Sequence, residues 1–296
     1  MSVSEEQLSN WTNPPSDTEE DRVKNAISMV KNAINSDPKL STMNLEVFCQ
    51  GSYANNTNVR LNSDIDINVL CKDIYYFDLP PHTTKDMFPD LMKDSSAKYC
   101  FRNLKDDVAF ALKNKFGSVQ RKNKCLHIVE NSYHSEIDVV PTCLNRQYYQ
   151  DKTYSEGVAL FSDSDFTKII NYPKQHISNG INKNLSTSKR YKKLVRIFKK
   201  TRYEMQNHQN AINPNISSFL LECLVWNCPN IIFTQDASWT ERFKDAICHI
   251  WSKTLNLSDC KEWGEVSELL YRFHADRKWS YEDVHKFMEQ MYGYVF

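Results

Sequence analysis

Apolar positions along the chain follow two rhythms, which change over near residue 145. Val23, Ile27, Val30 and Ile34 recur at spacings of four, three and four, which predicts one buried face of an amphipathic helix. Ser16-Asp17-Thr18-Glu19 ahead of it has capping-box form, and Asp37-Pro38 closes it. Residues 45–49 and 65–70 are rich in β-branched and apolar side chains and bounded by Gly and Asn, so both predict strands. Residues 103–116 predict a helix stopped by Gly117. Residues 125–129 and 137–140 predict two more strands, the second closed by Pro141. Residues 150–186 are polar and read as irregular. Helical spacing then dominates over 188–202, 216–226, 239–255, 266–273 and 281–292. The pattern predicts a leading helix, a small mixed sheet and a helical second half, without internal repeats.

Composition narrows this picture. A chain of 296 residues is one large domain or two modest ones. Lys plus Arg and Asp plus Glu number 37 each, so the chain lacks the basic excess of a polyanion-coating protein, although a local basic groove stays open. With 41% hydrophobic and 12% aromatic residues it is not globally disordered. Six glycines are too few for a Gly-rich dinucleotide loop and many tight hairpins together. Nine cysteines, an odd number with no CxxC pair, predict reduced buried thiols. Residues 1–15 lack the basic and apolar regions of a signal peptide, and no apolar run reaches the ~18 residues of a membrane span. A cytoplasmic protein with no membrane contact is expected. The eight His form no HxxxH pair, so none is expected to ligate metal, and the Trp residues of the helical half are expected to pack.

The chemistry is concentrated around Gln50-Gly51-Ser52. Eleven residues separate Ser52 from Asp64-Ile65-Asp66, which opens the second strand. Side chains alternate along a strand, so Asp64 and Asp66 share a face and repel each other unless a cation intervenes. Oxygen ligands of this kind suit Mg²⁺. Gly51 permits close approach of backbone to a phosphate, and Ser52 offers a hydroxyl and an N–H. Asp138, on the strand that begins Ile137, is a third carboxylate, with Glu136 on the same face as a rival ligand. An isolated Asp-x-Asp is most often a solvated strand end; here it lies within an apolar run, behind a Gly-Ser turn. Together these are the parts of a two-metal phosphoryl-transfer site.

Gly51-Ser52-Tyr53, Thr57-x-Val59, Ser63-Asp64-Ile65-Asp66-Ile67 and Asp138-Val139-Val140-Pro141 resemble the DNA polymerase β-like nucleotidyltransferases, and more narrowly the bacterial cGAS/DncV-like nucleotidyltransferases, relatives of oligoadenylate synthase. The likeness continues through Pro173-Lys174-Gln175-His176, Arg190-Tyr191-Lys192, Val195-Arg196-Ile197-Phe198-Lys199 and Ser217-Ser218-Phe219-Leu220-Leu221-Glu222, and spans residues 20–296. It implies an α+β fold: a polymerase β-like core of mixed sheet and helices plus a C-terminal helical domain, bilobal, with the active site in the cleft. The expected divisions are an N-terminal segment 1–15, the core 16–150 with a leading helix spanning both lobes, a connecting region 151–186 and the helical domain 187–296.

The resemblance further implies a template-independent enzyme that makes cyclic di- or trinucleotide second messengers from nucleoside triphosphates, read by a separate effector protein in anti-phage (CBASS) signalling. Asp64, Asp66 and Asp138 would bind two Mg²⁺ ions, with Mn²⁺ the alternative. Gln50, Gly51, Ser52, Lys199 and Ser218 would hold the donor triphosphate, and Phe219 would stack on its base. Lys199 belongs to a cationic run from Lys189 to Arg202 that also reads as a solvated basic face, and Phe219 has the spacing of a core residue. Asn171 would read a pyrimidine edge, favouring UTP, alone or with ATP; GTP and CTP are the other substrates. It also reads as a turn-forming Asn before Pro173. A monomer without a nucleic-acid template is expected. A linear or tailing nucleotidyltransferase, a cyclic purine or trinucleotide synthase and a non-catalytic nucleotide-binding module are the competing readings.

Overall fold

The computed structural model describes residues 3–14, 17–59, 64–88, 91, 99–130, 135–209, 212–273 and 278–296. Ser16 of the expected capping box and Ser63 lie outside them. The chain divides into two compact units, one of residues 16–54 and 60–173, the other of residues 1–15, 55–59 and 174–296.

The segment 1–15 contains a helix. Helix α1 (Glu5–Trp11) is capped by Ser4, whose hydroxyl accepts from the Gln7 N–H at 3.2 Å, and it buries Leu8 in the core of the helical unit.

The sheet unit begins with helix α2 (Asp17–Ser36), whose Val30 and Ile34 are fully buried, with Ala26 and Ala33 beside them. There follow β1 (Leu45–Cys49), the single-turn helix α3 (Gly51–Ala54), β2 (Ile65–Asp78) and α4 (Phe101–Phe116). Gly117 ends α4 at φ +77°, with its N–H bonded to Lys113 O at 2.8 Å, the left-handed stop that only glycine adopts without strain. The remaining strands are β3 (Gln120–Arg121), β4 (Leu126–Ile128), β5 (Ile137–Tyr148), β6 (Tyr154–Phe161) and β7 (Lys168–Asn171). The order is β1-β2-β5-β4-β3, with β6 pairing β5 and β7 pairing β6. β2 and β5 are parallel at the centre; the other pairs are antiparallel. Ile65, Ile67 and Val69 of β2 and Ile137 and Val139 of β5 alternate into one core with α2 and α4, which sends Asp66 and Asp138 to the other face.

Two expectations fail here. Pro141 does not close its strand. β5 runs on to Tyr148, and Pro141 sits where the partner residues of β4 end at Val139 and those of β6 begin at Cys143. The outer side of β5 therefore demands no N–H at that step. The stretch 150–186 is also ordered, as β6, β7 and helix α5 (Pro173–Ser186).

The helical unit continues with α6 (Tyr191–Gln209), α7 (Ser218–Trp226), α8 (Asn230–Thr234), α9 (Trp239–Lys253), α10 (Leu257–Cys260) and α11 (Tyr281–Val295). Ser217, Ser238 and Ser280 cap α7, α9 and α11, the last two with capping boxes. Its core gathers Leu194, Val195 and Phe198 of α6, Leu220, Leu221 and Leu224 of α7, Phe243 and Ile247 of α9, and Phe287 and Met291 of α11. Residues 266–273 are not the expected helix. Gly264 and Tyr271 form an antiparallel bridge, and Glu268 takes φ +61°, which no helix accommodates. The cysteines are free thiols, six of them buried, but Cys100 and Cys248 are exposed. Among the described residues, no helix is long and apolar enough to cross a membrane.

Candidate active site

Strand register assembles the acidic centre of the sheet unit. Parallel pairing sets Asp66 of β2 directly opposite Asp138 of β5. Antiparallel pairing sets His127 of β4 opposite the same Asp138. Neighbouring strands lie about 4.8 Å apart, so the three side chains form one row across the sheet. Asp64 immediately precedes β2 and is half-buried. Its carboxyl is hydrogen-bonded to that of Glu136, an interaction that raises the Glu136 pKa. Asp138 accepts from His127 Nδ1 at 2.7 Å and from Lys122 Nζ at 3.5 Å.

This arrangement is costly without a counter-charge. Burial, then the charges of Asp138 and Asp64, push Asp66 up to about 7. The same field reaches the neighbouring thiols: burial and then Asp66 push Cys49 up to about 12, and burial and then Asp138 push Cys125 up to about 12, so neither is a nucleophile. Asp66 beside two further carboxylates that raise its pKa fits a divalent cation, which would relieve that repulsion.

The Gly-Ser turn bears directly on this centre. Gly51 opens α3 at φ +70°, and a Cβ there would lie 2.1 Å from Asp66 Oδ2. Only glycine lets the turn pass so near the carboxylate. The Gln50 N–H bonds Asp66 O at 2.9 Å. The Gln50 side-chain oxygen accepts from Asn68 Nδ2 at 3.0 Å, and Asn68 Oδ1 accepts from the Thr142 hydroxyl at 2.7 Å. Ser52 is half-buried in α3, which Tyr53 ties to α2 by donating to Glu19 at 2.7 Å. Asn68 and Thr142 went unnoticed in the sequence, although Asn68 shares the face of Asp66 by the same alternation. His127 belongs to no HxxxH pair, and its partner Asp138 is brought in by strand register. Asn171 is the exposed last residue of β7, an edge strand of this unit.

The other expected residues lie in the helical unit. Lys199 of α6 is only 2% exposed. Its ammonium donates to Glu222 of α7 at 2.7 Å and to the Thr57 hydroxyl at 2.9 Å. Burial alone would push Glu222 up; Lys199 and His176, which bonds it at 3.0 Å, outweigh this and hold it well below the usual carboxylate range. One charge inside the apolar run from Leu220 to Val225 was the sequence signal for this network. Arg196, on the same stripe as Lys199, is buried and bonds Thr12 O and Asn56 O, tying three stretches of the unit together. Burial pushes it down to about 10. Neither cation is part of a solvated face. Ser218 is half-buried at the start of α7, where Ser217 rather than Ser218 is the cap. Phe219 is 40% exposed rather than core, with the His176 ring stacked 5.7 Å away and the Arg272 guanidinium 5.1 Å from its centroid.

Residues 178–296 match the cGAS/DncV-like nucleotidyltransferase C-terminal helical domain. The chain is 50% identical to the cyclic dipyrimidine nucleotide synthase CdnE of Cecembia lonarensis, over 98% of each protein. The structure resembles that of the Rhodothermus marinus CdnE c-UMP-AMP synthase with Apcpp and Upnpp, with a TM-score of 0.83 and 28% identity over 98% of this chain and 95% of that one. It also resembles the Elizabethkingia meningoseptica CdnE cyclic dinucleotide synthase with GTP and Apcpp, with a TM-score of 0.81 and 34% identity over 99% and 98%.

Proposed function

The chain belongs to the cGAS/DncV-like nucleotidyltransferase family, and on that premise we propose that it joins nucleoside triphosphates, without a template, into a cyclic dinucleotide that contains at least one pyrimidine. The observation that carries the chemistry is the row of Asp66 and Asp138 with Asp64 beside it, approached by a glycine whose missing Cβ makes room for Asp66.

In this reading Asp64, Asp66 and Asp138 hold two Mg²⁺ or Mn²⁺ ions, which would lower the pKa of the attacking hydroxyl and stabilise charge on the departing pyrophosphate. The protein's own groups do the positioning. Gln50, fixed by Asn68 and by its backbone bond to Asp66, sets the turn in which Gly51 and Ser52 meet the donor triphosphate. Two of the three Lys199 ammonium protons are engaged by Glu222 and Thr57, and the third serves a phosphate oxygen, with Ser218 adding a hydroxyl. Phe219, partly exposed and backed by His176, is the stacking surface for a base. Stacking is nearly blind to base identity, so discrimination falls to hydrogen bonds. Asn171 offers one acceptor and a two-proton donor, the complement of the N3–H and O4 of uracil.

The pyrimidine assignment leans on the 50% identity to a cyclic dipyrimidine synthase; the relative described with GTP is the counterweight. The product is proposed to act on a separate effector in CBASS-type defence, made by a cytoplasmic monomer. Incubation with all four triphosphates and Mg²⁺ or Mn²⁺, followed by mass spectrometry, tests the reading. A phosphatase-resistant product containing uracil or cytosine is expected, and Asn171→Ser should shift incorporation toward purines without loss of turnover. A linear product would overturn the cyclase assignment, and a product of adenine and guanine alone the base assignment.

A further inference from the structure

Beside the carboxylate row stands a group that the three-aspartate reading does not use. His127 is 6% exposed. Its Nδ1 lies 2.7 Å from Asp138 Oδ1. An ionised carboxylate can only accept, so Nδ1 is the donor, and in the neutral, metal-binding form of the ring Nε2 then presents the lone pair. Glu136 Oε2 lies 3.9 Å from Nε2, too far for a hydrogen bond. One nitrogen of His127 and one carboxylate oxygen each of Asp64 and Glu136 lie within 4.8 Å of one another. Two donors to one cation stand at most about 4.4 Å apart, twice a bond length of about 2.2 Å. The Glu136 side chain, 39% exposed, can close that difference by rotation. A ring N–H donated to a carboxylate, with the opposite nitrogen facing carboxylates, is how proteins orient a metal-binding imidazole.

We propose that His127 Nε2, Asp64 and Glu136 form a second kind of divalent-cation position in this centre, one with a nitrogen donor, which shares Asp64 with the all-oxygen position of Asp66 and Asp138. The inference rests on the reading of this face of the sheet as a cation centre and adds to it a preference for ion type. Mg²⁺ favours an all-oxygen shell, whereas imidazole suits transition ions. The position should therefore take Mn²⁺ in preference to Mg²⁺.

The test is pulsed electron paramagnetic resonance on the intact, nucleotide-free protein with Mn²⁺ in a nitrogen-free buffer. Wild-type protein should show ¹⁴N modulation from one imidazole. His127→Gln should lose it while still binding Mn²⁺ through the aspartates. Glu136→Gln, at a half-exposed position, should keep the nitrogen signal but need about tenfold more Mn²⁺ to saturate it. If His127→Gln does not fold, ¹⁵N-histidine labelling of wild-type protein makes the same distinction by shifting the modulation frequency. Bound Mn²⁺ without nitrogen modulation, or modulation that survives His127→Gln, would overturn the proposal and leave the aspartate centre standing. Failure of wild-type protein to bind Mn²⁺ at all would remove the cation centre itself.

Discussion

Gly51→Ala separates the two demands placed on that residue, because the chain supplies its own control. Gly51 and Gly117 both hold a positive φ, +70° and +77°. An alanine at either costs about 1–2 kcal/mol in left-handed strain. At Gly117 the new Cβ meets nothing within 4 Å, so strain is the whole cost. At Gly51 it meets Asp66 Oδ2 at 2.1 Å and Asp66 Cγ at 2.9 Å, so the carboxylate must retreat by about 1.3 Å to reach ordinary contact near 3.4 Å. Overpacking of that kind adds about 1–3 kcal/mol, for a total of about 2–5 kcal/mol. A displacement of about 1 Å at a reacting centre also slows turnover by about 100-fold. Denaturant unfolding and pyrophosphate release should therefore diverge: Gly117→Ala loses about 1–2 kcal/mol and keeps full turnover, while Gly51→Ala loses more stability and nearly all activity. Equal destabilisation of the two variants, with Gly51→Ala still active, would refute the close-approach argument.

Asp66→Asn should stabilise the metal-free protein increasingly with pH. The native carboxyl, at about 7, binds its proton more tightly than the unfolded one near 3.9, so wild-type stability falls as pH rises through that window. The limiting gain is about 4 kcal/mol at pH 8 and about 1.5 kcal/mol at pH 5, roughly halved if Asp64 and Asp138 relax; thermal unfolding in chelator at both pH values reads it, and a constant difference would contradict it. Glu222→Gln leaves the Lys199 ammonium buried without its counter-charge and should cost about 3 kcal/mol at neutral pH. Because the native Glu222 pKa is depressed, its stabilisation is present above about pH 4.5 and lost in acid, so the gap between variant and wild type should narrow in acid melts. Asp64→Ala with Asp66→Ala should abolish product while circular dichroism shows an intact fold; synthesis by this double variant would end the nucleotidyltransferase mechanism proposed here.

The parts legible in the sequence were those whose signal is local. Val23 to Ile34 wrote out a helix, Gly117 its neighbour's stop, and the alternation around Asp66 and Asp138 placed both on one face before any sheet was seen. The parts that were hidden depend on distant residues. β6 was hidden in the polar stretch 150–186 because its packing comes from outside the strand in sequence: at Gly157 the Tyr172 ring lies 2.7 Å from where a Cβ would be. Pro141 read as a stop because nothing in the sequence reveals that β5 changes partners there. α1 was hidden because only Leu8 and Trp11 carry its apolar face. That Lys199 is buried was hidden, because Glu222 and Thr57, which offset its charge, are 23 and 142 residues away.

The three stretches joined by Arg196 set a timetable for synthesis. Arg196 holds the carbonyl of Thr12 across 184 residues and that of Asn56 across 140, and Thr57 waits 165 residues for Glu222. A ribosome adding about 5–20 residues per second leaves α1 without its docking surface for roughly ten to forty seconds. Over that interval residues 16–173 emerge with nearly every partner they need, while Leu8 stays in water. The sheet unit can fold during translation, whereas the helical unit must close around α1 after most of α11 has been made. The residues of α1, made long before the helices they pack against, are therefore among the last to reach their native place.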